Sequence, residues 1–247
     1  MKTLFILLLL LLPIQDEYKW GRPTSKGVDN YIERNEYQFI IDYQNHIKDT
    51  LFYEPFISTD DLSDYYNYTR GDMGYYEPPD NIIINNEPRY IEYELSRLND
   101  FQKSQYRESN KFVRAVVMHE LTHCYFYQQI RIAEQNHELE YEFRQGLRIV
   151  PVNDYGTDFV EEGICEYQTL LMGEMIGYDE ELRITKGQLL NNKDSYEVKY
   201  RYSAQYVKPI VDKLGLRQAI YLMVTSKPPS TEEILKPNLY YQRLNVN

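Results

Sequence analysis

The chain has 247 residues, 43% hydrophobic and 26% charged, which suits one soluble globular domain or two closely joined lobes. Its formal net charge of −11, with no basic run to offset it locally, argues against nucleic acid as a partner. Tyrosine is abundant at 26 residues and supplies amphipathic rings to core edges and surface, so it names no ligand by itself.

The N-terminus, "MKTLFILLLLLLPIQDEYKW", has one lysine, an apolar run from Leu4 to Leu12, then Pro13 and polar residues. That run is too short to span a bilayer as a helix and matches the apolar region of a secretory signal. Residues 1–15 therefore read as a signal peptide and 16–247 as a single domain, secreted or periplasmic. No small-x-small pattern precedes Asp16, so an uncleaved membrane anchor is the alternative. Residues 28–52 carry apolar side chains at helical spacing (Val28, Tyr31, Ile32, Phe39, Ile40, Tyr43, Ile47). A polar, tyrosine-rich loop is expected from there to about Pro79, with a glycosylation sequon at Asn67 that matters only in a eukaryote. "DNIIINNE" then reads as a short strand bounded by Asp80 and Asn85–Asn86.

Ser109 or Asn110 can cap a helix with apolar positions Val113, Val117, Leu121 and Cys124. A second helix is expected from about Asp158 through "FVEEGICEYQTLLMGEMIG". A third is expected over Ser203–Leu214, stopped by Gly215, before a proline-punctuated tail. The pattern is helix-rich with a modest sheet, an α+β class.

Two of the four histidines, His119 and His123, stand four positions apart in "AVVMHELTHCYFYQQ". On a helix both project from one face and can reach one ion together. Glu120 sits beside that face, where a carboxylate can take a proton from water at the metal; this is the mechanical content of the H-E-x-x-H motif. Two histidines at this spacing can also simply decorate a polar surface, but this pair lies mid-helix beside an apolar stripe. A catalytic zinc site needs three protein ligands and an open position. His137, Glu161 and Glu162 are the candidates for the third. With Asp158 as N-cap, Glu161 falls at the position where a glutamate reaches back to the cap. Glu162 has no such structural role, and Glu166 follows one turn later, placed to steady a ligating imidazole. Glu162 is the better ligand. Cys124 and Cys165 lie on the two ligand helices and can be free thiols or a disulfide.

"HELTH" followed by "EEGICEY" resembles the glutamate-type zincins, zinc metallopeptidases with a histidine pair on one helix and a glutamate on the next. "GYYEPPDNIIINN" resembles their cleft-lining edge strand, and "YSAQYVKPIVDKLG" the helix after the ligand helix. "PPSTEEILKPNLYY" is similar to a C-terminal stretch of poorly characterised bacterial members. The 38-residue stretch between His123 and Glu162 is longer than in compact peptidases of the class. The resemblance implies a zincin-like fold, with a small sheet bearing the edge strand and a helical C-terminal lobe. It implies Zn2+ on His119, His123 and Glu162, Glu120 as general base, and a third-helix tyrosine facing the oxyanion, Tyr202 before Tyr206. The implied activity is hydrolysis of peptides or proteins. The alternatives are a binding module of the same fold without turnover, and a SprT-like protease using His137 as third ligand.

Overall fold

The computed structural model describes residues 25–60, 73–86, 109–136, 155–173, 181–192, 195 and 197–246. The N-terminal apolar run, Asn67 and His137 lie outside these residues. Helix α1 (Ser25–Ile47) buries Val28, Ile32, Phe39, Ile40 and Tyr43 along one stripe. Lys48 then takes a left-handed conformation (φ 54°), which stops the helix short of the 28–52 expected from apolar spacing alone.

Three short strands follow: β1 (Phe56–Asp60), β2 (Gly74–Glu77) and β3 (Asn81–Asn85). Their order is β1-β3-β2, with β1 parallel and β2 antiparallel to β3. The isoleucine-rich segment is thus the central strand, and its Ile82 and Ile84 are fully buried. Strands β1 and β2 fall where a loop was expected. Five and four residues long, they carry too little alternation to be read locally, and pairing with β3 defines them. The outer strand of the stretch that resembles a zincin edge strand is β2.

Helix α2 (Ser109–Gln135) crosses the sheet and packs on β2, β3 and α1, with Val113, Val117, Leu121 and Cys124 all buried as their spacing implied. Helix α3 (Tyr155–Leu171) packs against α2 and buries Phe159, Val160, Ile164 and Cys165. It begins three residues before Asp158, so Asp158 lies in the first turn, where its charge suits the helix dipole, and is not the N-cap. Glu161 is accordingly not at the capping-box position.

After the short helix α4 (Lys186–Asn191), a π-helical turn (Glu197–Tyr202) runs directly into α5 (Ser203–Leu214). Gly215 ends α5 with φ 77°, a conformation that disfavours any side chain. Helices α6 (Leu216–Val224), α7 (Thr231–Leu235) and α8 (Pro237–Arg243) complete the described chain. The architecture is mixed α and β, mostly helical, with one three-stranded sheet among the described residues. No helix among them is long and apolar enough to cross a membrane.

Candidate metal centre

The site lies where α2, α3 and the π-helical turn meet. The two histidines of α2 converge, with His119 Nε2 and His123 Nε2 3.2 Å apart. Glu162, from α3, brings Oε2 to 3.2 Å from His119 Nε2 and 3.6 Å from His123 Nε2. Cys165, one turn further along α3, is fully buried beside them. One donor atom each from His119, His123 and Cys165 lies within 4.8 Å of the other two, a cluster able to hold a metal ion.

The outer nitrogens of both imidazoles also meet carboxylates. His123 Nδ1 is 2.8 Å from Glu161 Oε1, and His119 Nδ1 is 3.8 Å from Glu166 Oε2. Glu166 thus stands on the side of His119 that its spacing suggested, at a distance longer than a hydrogen bond. Glu161, assigned to a cap from sequence, instead fixes the orientation of the second histidine. Lys199, from the π-helical turn, places Nζ 2.9 Å from Glu162 Oε1.

These neighbours set the charge states. Burial pushes the Glu162 carboxyl up, but hydrogen bonds from His119 and His123 and the charge of Lys199 hold it well below the usual carboxylate range. Burial opposes a charged His123, yet the neighbouring Cys165, Glu161 and Glu162 raise its pKa well above the ordinary value. Burial drives both thiols, Cys124 and Cys165, up to about 12, and they are free rather than bridged.

Glu120 is buried and lies beneath the start of β2, which touches it through a glycine. A Cβ on Gly74 would stand 2.6 Å from Val116 Cγ1 and 2.9 Å from both Cγ and Oε1 of Glu120. Strand and catalytic-candidate carboxylate are therefore in contact only because residue 74 has no side chain.

Tyr202 does not present its hydroxyl to the histidines. That group is buried and donates to the Ile234 carbonyl oxygen at 2.7 Å. Tyr206 lies inside an aromatic cluster, stacked on Tyr240 with centroids 5.5 Å apart. Among the described residues a tyrosine beside the site is Tyr200, whose ring meets that of His119 edge-on at 5.9 Å. Helical periodicity pairs Tyr202 with Tyr206, whereas the wider π-helical turn brings Tyr200 and Lys199 round to α2 and α3. Neither residue carries a signal that sequence alone makes visible. No family model, curated protein or solved structure matches the chain.

Proposed function

We propose that the protein is a zinc metallopeptidase of glutamate-zincin type, with His119, His123 and Glu162 holding the ion. The carrying observation is the triangle of donor atoms, with sides of 3.2, 3.2 and 3.6 Å. Tetrahedral ligands about 2.0–2.2 Å from zinc stand about 3.3–3.6 Å from one another. Two imidazole nitrogens and a carboxylate oxygen thus converge on one point at the spacing of three ligands around a single small ion. Cys165 also lies in reach of the histidines, and Glu162 Oε2 stands at separations that suit a single small ion.

A zinc ion bound there supplies Lewis acidity, polarising a carbonyl and making water nucleophilic near neutral pH. The chain's own residues do the rest. Glu120 takes the proton of the attacking water and passes it to the leaving nitrogen. Glu161 holds the His123 imidazole in its ligating orientation, and the Glu166 carboxylate faces His119 from 3.8 Å. Tyr200, whose ring lies beside His119, replaces Tyr202 as the candidate donor toward a developing oxyanion. Strand β2 offers an outer edge to which an extended peptide can add, directly above Glu120. The apolar run Leu4–Leu12 supports export, so the substrates are peptides or proteins outside the cytoplasm.

Incubating the purified protein with a broad peptide library, with and without a chelator, tests this reading. Cleavage that the chelator abolishes and zinc restores is the expected result. A protein that holds zinc but leaves every peptide intact would instead be a binding module.

A further inference from the structure

The two oxygens of Glu162 have different neighbours. Oε2 faces the imidazoles at 3.2 and 3.6 Å, while Oε1 meets Lys199 Nζ at 2.9 Å. We propose that Lys199 is a positioning residue that confines Glu162 to one metal-facing oxygen, leaving a coordination position open beside the two histidines. The inference rests on Glu162 being a metal ligand.

A carboxylate beside a divalent ion can bind through one oxygen or through both. Binding through both fills a position that a catalytic site needs free for water or substrate. An ammonium on Oε1 opposes that rotation, because turning Oε1 toward the ion means giving up a charge-assisted hydrogen bond in a largely buried setting. Glu162 is thus held to a single donor atom from the side away from the histidines.

The backbone around this pair is built for the contact. Gly163, next to Glu162, lies against α5 so closely that a Cβ there would stand 2.5 Å from the Ser203 carbonyl oxygen. The Ser203 hydroxyl lies within hydrogen-bond reach of the carbonyl oxygens of Lys199 and Tyr200, which ties the middle of the π-helical turn to the first residue of α5. A close approach of α3 to α5 therefore sits beside the ion pair. A side chain at 163 would force the helices apart at that point.

The test uses the full protein with cobalt(II) in place of zinc, since cobalt reports coordination number in its visible spectrum. Four-coordinate sites absorb strongly, and higher coordination weakens the bands. The wild type is expected to show the strong four-coordinate spectrum. Lys199→Met is expected to lose most of that intensity while still binding one cobalt, and Lys199→Arg to keep it. Lys199→Ala gives the same comparison if the Met variant does not fold. A Met or Ala variant with the wild-type spectrum overturns the role of Lys199. A Glu162→Gln variant with the wild-type spectrum shows that Glu162 is not a ligand, and overturns the ligand assignment itself.

Discussion

Glu161 Oε1 stands 2.8 Å from His123 Nδ1, which leaves Nε2 of the same ring to face His119 and Glu162. Adjacent glutamates on α3 thus do different work. One orients a histidine, and the next shares its inner nitrogen's target. The pairing also fixes which nitrogen of His123 is available to a metal.

Glu161→Gln is expected to weaken metal binding by about 10–100-fold, the scale for losing a partner that orients a ligating histidine. Glu166→Gln is expected to cost less, since its carboxylate lies 3.8 Å from His119. Competition against a chromogenic chelator measures both. Equal affinities for wild type and Glu161→Gln would remove Glu161 from the site.

Glu120→Gln is expected to retain the metal and lose turnover by about 10²–10⁴-fold, because the ligand set is intact and only the proton acceptor is gone. Metal content and peptide cleavage should be read on one preparation. Cleavage close to the wild-type rate would exclude Glu120 as the base.

The metal-free protein should have a stability maximum bounded by two titrations. His123 has a raised folded pKa, so its contribution is complete below about 6.5 and is lost as pH rises through the folded value. Glu162 has a lowered folded pKa, so its contribution is present above about 4.3 and is lost as pH falls through the folded value. Metal reverses the alkaline limb, because the ligand is the deprotonated ring. Near neutral pH, uptake should release about one proton per ion, with affinity rising as pH rises. Calorimetry in two buffers of different ionisation enthalpy reads the proton directly, and identical heats would contradict the charge assigned to His123.

Gly74→Ala places a methyl group 2.9 Å from the Glu120 carboxylate oxygen and 2.6 Å from Val116, so strand or side chain must move. Overpacking of this kind costs about 1–3 kcal/mol of stability. Displacing the base by about 1 Å can cost up to about 10²-fold in turnover. The expected pattern is full metal content, a lowered kcat and a lowered Tm. An unchanged kcat would show that β2 does not constrain Glu120.

The histidine pair was legible in the sequence because two residues and one helical turn define it. The apolar stripe of α2 and the exact end of α5 at Gly215 were legible for the same reason: their signals are local. Strands β1 and β2 were not, since strands this short depend on a partner more than 20 residues away or across a turn. Glu161 reads as a cap only for a helix that starts at Asp158, and the start of α3 at Tyr155 makes it a histidine partner instead. Tyr200 was missed through periodicity, as an α-helical reading carries through a segment whose backbone is wound more widely. Lys199 had no signature at all. A lysine gains a role at this site only through the fold that brings it to Glu162.

The placement of His119 and Glu162 on separate helices, 43 residues apart in the chain, makes an ion between them a removable cross-link. Bound metal then stabilises the folded state by mass action, by about 4 kcal/mol when free metal exceeds its Kd a thousandfold. Stripped molecules then open more often and expose backbone, which loaded neighbours would cut if the protein is the peptidase proposed above. Self-digestion should therefore peak at partial occupancy and fall when every molecule is loaded or every molecule is empty. Following intact chain by gel across a chelator titration reveals that maximum, and a steady decline in self-cleavage would mean that metal loss leaves the fold closed.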